Sequence, residues 1–216
     1  MNEAFMNAVS AWGVKLTPQA GEKLGIFVKE LVANNAVMNL ISRKDEENVW
    51  TRHIADSLAA APLLDRLVKP GGLIADSGTG AGFPGVPLAA VLEAFRFELL
   101  DSNGKRCLFL GRTLAEMKLA NAAVFQKRVG EGPRVEKYRA VTERAMGQLE
   151  NILPQCLNML LPGGVFLAWQ SAAQMAEPRP AVEKALARSR AELEEKYAYR
   201  LPGETEDRFI AVFRKR

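Results

Sequence analysis

Residues 76–85 read Asp76-Ser77-Gly78-Thr79-Gly80-Ala81-Gly82-Phe83-Pro84-Gly85. The stretch follows a short apolar run, Leu73-Ile74-Ala75, and opens a helix expected from Pro84 to about Leu92, so it joins a strand to a helix. Its glycines let a ligand approach backbone closely, and such a turn lies at the carboxyl end of a sheet, where open α/β folds hold their ligands. Downstream the pattern repeats. A strand at Phe95 to Leu100 ends in Asp101, a helix spans Lys105 to about Leu119, and strands follow at Ala122 to Gln126 and Ala140 to Thr142. A helix from Leu149 to Leu161, a Pro162-Gly163-Gly164 turn and a strand from Val165 to Trp169 continue it. A charged helix is expected from Ala181 to Lys196, then strands at Tyr197 to Leu201 and Arg208 to Arg214 with no helix between them. The alternation predicts an α/β fold: a doubly wound, mostly parallel, Rossmann-like sheet of seven strands with an antiparallel C-terminal edge.

Upstream, residues 1–69 read as a helical extension of the α/β core at 70–216, the whole forming one domain. Thr17-Pro18 is a capped helix start, and Leu24, Phe27, Val28, Leu31 and Val32 form an apolar stripe. The polar pair Asn34-Asn35 interrupts it, and a second helix near Asp45 carries Val49, Trp50, Ile54 and Leu58.

With 216 residues, 48% hydrophobic and 25% charged, the chain has the balance of a globular protein of one domain. No apolar run approaches the roughly 20 residues that cross a bilayer, and Met1-Asn2-Glu3-Ala4 lacks the basic start of a secretory signal. Cys107 and Cys156 show no metal-ligand spacing and His53 is the single histidine, so no metal is expected. A cytoplasmic monomer is the expectation. The net charge of +4 is mild. Its placement is more informative: Lys127, Arg128, Arg134, Lys137 and Arg139 cluster, and the chain ends Arg214-Lys215-Arg216. Such runs either follow a phosphate backbone or form a solvated surface.

Gly80-Ala81-Gly82-Phe83-Pro84-Gly85, with Asp101 further on, also matches the dinucleotide fingerprint. Electrostatics separates the readings. A carboxylate at Asp76, just before the first glycine, would face a pyrophosphate of its own sign, whereas S-adenosylmethionine carries an ammonium and a sulfonium that it would attract. Asp101 can accept from ribose hydroxyls in either case.

At this point the chain resembles a known family. Asp76 to Pro87 resembles the signature of the RsmG family (glucose-inhibited division protein B), which methylates N7 of a guanine in small-subunit ribosomal RNA. Met38-Asn39-Leu40-Ile41-Ser42, Arg52-His53-Ile54-Ala55-Asp56-Ser57-Leu58, Leu100-Asp101-Ser102-Asn103-Gly104-Lys105-Arg106 and Val141 to Leu149 continue the resemblance in order and spacing. It implies a methyltransferase sheet and S-adenosylmethionine as donor. Gly78, Gly80, Phe83, Asp101, Val129 and Gly130 would hold that donor. Arg144 would reach the donor or the incoming guanine as the catalytic candidate. Asn39, Arg52, His53, Lys105 and Arg106 would face the RNA, with the small subunit as partner. The chain departs from the family pattern at Gly130, where glutamate is usual and Glu131 is adjacent, and at Glu143, where serine is usual. Gln170-Ser171 replaces a lysine-glycine pair, Ala33 a tryptophan and Ser77 a β-branched residue. Glu143 would pair with Arg144 or compete for its space.

Guanine N7 has a free lone pair and no proton to lose, so the implied reaction needs in-line placement rather than a general base. Two other functions fit the same motifs: methyl transfer to a small molecule or protein by the same fold, and a non-catalytic RNA-binding member. Taken singly, His53 and Asn39 also read as a helix residue and a turn cap, and Trp50 and Trp169 as core.

Overall fold

The computed structural model describes residues 1–131, 136–176 and 179–216. Strands β1 (Leu73–Ser77), β2 (Arg96–Asp101), β3 (Ala122–Gln126), β4 (Tyr138–Glu143) and β5 (Leu160–Ser171) pair in parallel. The last strand in sequence, β7 (Arg208–Lys215), lies antiparallel between β5 and β6 (Ala191–Tyr199). The order β3-β2-β1-β4-β5-β7-β6 reverses direction between β1 and β4, which creates a crevice at the carboxyl ends of those two strands.

Side chains alternate strictly across the sheet. Ile74, Leu99, Ala140, Val165, Leu167, Ile210 and Val212 enter one core, while Ala75, Leu100, Val141, Phe166, Ala168, Ala211 and Phe213 enter the other. The first core is covered by α1 (Glu3–Ala11), α2 (Pro18–Met38), α3 (Ala55–Leu58), α4 (Ala61–Leu67), α5 (Gly85–Val91) and α6 (Gly104–Glu116). The second is covered by α7 (Leu149–Met159), and by α9 (Pro180–Arg188) beyond the short α8 (Ala172–Ala176). Burial on both faces is what apolar runs without polar alternation require.

Three expected elements take a different form. The charged helix ends at Arg188, and Arg190 adopts a left-handed φ of 51° that turns the chain into β6. The charges expected on that helix instead occupy an edge strand, where Glu194 pairs with Arg214 on β7 and Glu192 with Arg216 just beyond it, which deters pairing with other chains. Near the N-terminus, α2 starts at the Thr17 cap as expected but runs through Asn34-Asn35. Asn35 is buried without penalty because its amide donates to Glu46 and accepts from the Ile41 N–H at 2.8 Å. The second helix expected from Asp45 is a tight 3-10 turn (Arg43–Asn48) followed by a wide π-helical stretch (Val49–Ile54) before α3. π turns are rare and concentrate at functional sites; this one carries Arg52 and His53.

Candidate active site

The glycine loop is shaped from beneath by Asp76. Its carboxyl is fully buried and accepts the Gly85 N–H at 2.9 Å, an unpaired donor at the start of α5, and the Thr142 hydroxyl at 2.9 Å. A Cβ on Gly85 would lie 2.7 Å from that carboxylate and 2.3 Å from Leu99, so only glycine fits there. Burial pushes the Asp76 carboxyl up to about 6. Asp76 therefore ties the loop to β4 rather than facing the space above the glycines, which corrects its expected role as the direct attractor of a cation. Above it, Gly78 and Gly80 adopt φ of 65° and 59°. The Gly80 N–H donates to Asp101 Oδ2 at 2.9 Å, and the Asn103 N–H donates to Asp101 Oδ1 at 2.8 Å. The tip of β2 thus fixes the loop from the side. Val129 and Gly130 follow β3, with Gly130 at φ 88° facing the side chain of Gln155. Glu131 is exposed and paired with Arg128 at 3.2 Å.

Beside the loop, across the ends of β4, β5 and β7, opens a cleft of about 730 Å³. Arg52, His53, Glu143, Arg144, Trp169 and Arg208 are among the residues lining it. Arg144 is locked. Its Nη1 donates to Asp56 Oδ2 at 2.8 Å, its Nη2 lies 3.2 Å from His53 Nδ1, and its guanidinium stands 5.0 Å over the Phe83 ring. His53 stacks on the same ring at 5.0 Å. Burial, reinforced by the Arg144 charge, holds His53 down at about 4, so the imidazole is neutral. Because arginine only donates, His53 Nδ1 is the acceptor and the proton sits on Nε2, 3.6 Å from Asp45 Oδ2.

Asp56 organises this cleft. Only 2% exposed, it accepts from Arg144, from the Tyr199 hydroxyl at 2.6 Å and from Arg208 at 3.4 Å, while its backbone carbonyl accepts from Trp169 Nε1 at 3.0 Å. Charge-assisted bonds from two guanidiniums satisfy a carboxylate that burial would otherwise penalise. Asp56 joins the helical extension to β5, β6 and β7.

Of the sequence-predicted residues, Arg52, His53, Phe83 and Arg144 meet in or against the cleft, and Gly78, Gly80 and Asp101 meet at the loop. Asn39 caps α2 in the left-handed conformation and is exposed, outside the cleft lining. Lys105 and Arg106 occupy the first turn of α6 behind the Asn103 cap, with Arg106 3.8 Å from Asp101. Cations are disfavoured at that helix end; Arg106 has Asp101 to offset this, whereas no ion pair of Lys105 is found among the described residues. Glu143 does not pair with Arg144; it accepts the Met146 N–H, and Met146 packs its thioether on Gly78. The terminal run is not a free basic patch: Arg214, Lys215 and Arg216 are bound to Glu194, Glu136 and Glu192. In the other basic cluster Lys137 pairs with Glu98 at 2.8 Å, and Arg134 lies outside the described residues. Asp56, Tyr199 and Arg208 were not read as site residues. Asp56 stands at helical spacing from Arg52 and His53, a signal that was available; Tyr199 and Arg208 carried none.

A seven-stranded sheet in this order, with a glycine loop after β1 and an acid at the tip of β2, defines the class of α/β methyltransferases. The fold is similar to that of magnesium protoporphyrin IX methyltransferase from Synechocystis PCC 6803, with a TM-score of 0.63 at 12% identity over 82% of this chain and 86% of that one. The family model for rRNA small subunit methyltransferase G matches residues 20–199, and the chain belongs to that family. It is 36% identical to ribosomal RNA small subunit methyltransferase G of Sorangium cellulosum over 76% of this chain and 70% of the relative. It is 32% identical to that of Lysinibacillus sphaericus over 100% of this chain and 91% of the relative. No helix among the described residues is long and apolar enough to cross a membrane.

Proposed function

We propose that this protein transfers a methyl group from S-adenosylmethionine to N7 of a guanine in small-subunit ribosomal RNA. The observation that carries the reading is adjacency: Met146 packs on Gly78 of a glycine loop suited to a small ligand, and its neighbours Glu143, Arg144, Ala145 and Gly147 line a cleft large enough for one nucleotide. The loop fits a bound donor, since a Cβ at Gly80 would enter open space with nothing nearer than the Gly78 carbonyl at 3.8 Å. Gly78, Gly80, Asp101, Val129 and Gly130 would hold the donor, Asp101 through a ribose, and Phe83 would back the loop. The donor supplies a methyl already activated on a sulfonium.

The chain's own residues then have a placement task. Asp56 and Phe83 hold the Arg144 guanidinium at the cleft wall, from which N–H groups beyond those on Asp56 and His53 would donate to guanine O6, the edge that arginine commonly reads. Neutral His53 and half-exposed Arg52 line the same wall without requiring a proton to be moved. Lys105, Arg106 and Asn39 lie outside the cleft and are assigned to the flanking RNA backbone. The test is incubation with labelled donor and either purified unmodified small subunits or a metabolite extract. Label at N7 of one guanine is expected; label in metabolites alone, or none, refutes the proposal.

A further inference from the structure

Most carboxylates around the two sites have a cation beside them. Asp56 meets Arg144 and Arg208, Asp101 lies 3.8 Å from Arg106, and Glu204 lies 2.6 Å from Arg208. Glu143 differs. It is 1% exposed, it lines the cleft, and its hydrogen bond comes from the backbone N–H of Met146. Among the described residues no cation stands within ion-pair distance of it, because Arg144 turns its guanidinium to Asp56 instead. In the β1–β4 register Glu143 is opposite Ser77, the residue before Gly78, and fully buried Asp76 is one place back on β1. Two acids thus lie within one residue of the ends of adjacent strands at the switch point of the sheet. A buried carboxylate without a counter-charge is costly unless something else supplies the charge.

We infer that Glu143 is the anionic partner of the methyl donor's positive charge. The inference rests on the reading of the chain as a methyltransferase. Asp76 is fully buried and outside the cleft lining, so among the described residues Glu143 is the carboxylate beside the glycine loop that has no ion-pair partner and lines the cleft. The groups around it are Asp76 on β1, Arg144 in the following loop and Cys156 on α7, whose thiol burial keeps protonated. Burial, with the Asp76 charge adding to it, pushes the Glu143 carboxyl up to about 7. A bound cation favours the ionised form, so affinity for a cationic ligand falls as pH drops below that value.

Calorimetric titration at about pH 8 uses three ligands on one adenosine scaffold. S-adenosylmethionine carries ammonium and sulfonium, S-adenosylhomocysteine the ammonium alone, and 5′-methylthioadenosine neither. Glu143→Gln is expected to weaken S-adenosylmethionine by roughly tenfold or more, about 1.4 kcal/mol, and methylthioadenosine by less than about twofold. A loss shared by S-adenosylhomocysteine assigns the carboxylate to the ammonium, a loss confined to S-adenosylmethionine assigns it to the sulfonium, and either supports the inference. Equal losses for all three ligands, or no loss, overturn it. In the parent protein the affinity ratio of S-adenosylmethionine to methylthioadenosine should also rise from about pH 6 to about pH 8. A flat ratio overturns the inference even if the glutamine variant does not fold. A parent protein that binds none of the three overturns the functional reading as well, whereas binding with unchanged ratios overturns the inference alone.

Discussion

The glycine loop and the cleft beside it sit at the ends of neighbouring strands, yet they are assembled differently. The loop is largely backbone: Gly80 and Asn103 N–H groups converge on Asp101, and the Gly85 N–H on Asp76, all within about one strand-helix-strand unit. The cleft is made of side chains from distant parts of the chain. Asp56 meets Arg144, Tyr199 and Arg208 across separations of 88, 143 and 152 residues. A backbone site tolerates side-chain changes that leave its turns intact. A side-chain site fails as a unit, because removing one member strands the others in a buried, low-dielectric place.

The largest expected effect follows from that contrast. Asp56→Ala leaves two guanidiniums and a tyrosine hydroxyl without their shared acceptor and should destabilise the fold by about 3–5 kcal/mol, read by urea unfolding. A cost below about 1 kcal/mol would mean that the network is loosely held. The same geometry gives Arg144 a part in stability. With Asp56 only 3% exposed in its side chain, their pair is not a surface pair, so Arg144→Ala should also lower the melting temperature.

Next in size is a stabilising change. The raised Glu143 carboxyl favours the protonated fold, so its contribution is present below the ordinary value of 4.5 and is lost as pH rises through about 7. Without ligand, Glu143→Gln should therefore stabilise the protein by on the order of 1–3 kcal/mol at about pH 8, and hardly at all at about pH 4. Urea midpoints at the two pH values measure it; a variant less stable than the parent at pH 8 contradicts the sign.

Arg144→Lys keeps the charge but loses the planar fork that Asp56 and Phe83 hold, and should cut methyl transfer by roughly tenfold, about 1.4 kcal/mol, with donor affinity little changed. Unaltered turnover would make Arg144 a purely structural clamp. The smallest effect concerns the residues outside both sites. Replacing Lys105 and Arg106 with alanine should make the log-log salt dependence of RNA binding shallower by about 1–2 and leave stability within about 0.5 kcal/mol. An unchanged slope would remove them from the RNA path.

The same contrast explains what could be read before folding. Strand runs, the glycine loop and the acid at Asp101 are local patterns, and the antiparallel C-terminal edge followed from two strands with no helix between them. The reading of Asp76 as the donor's direct partner failed because Gly85 and Thr142 claim it, contacts that lie nine and 66 residues away. Glu192 and Glu194 misled for another reason: charge density marks solvent exposure, which a helix face and an edge strand share. The role of Asp56 stayed hidden because its partners Tyr199 and Arg208 become neighbours only once β7 inserts beside β5.

That insertion sets an order of events during synthesis. The parallel part of the sheet, with its glycine loop, is complete once β5 has emerged, because β1 to β5 lie within residues 73–171. The acceptor for Arg144 is made early, at residue 56, but two of its other partners come from the final β6–β7 hairpin. A nascent chain therefore carries a finished glycine loop beside an unfinished cleft, with Asp56 short of Tyr199 and Arg208 until the last strand slots in. The buried network that joins the extension to the sheet is the last part of the molecule to close.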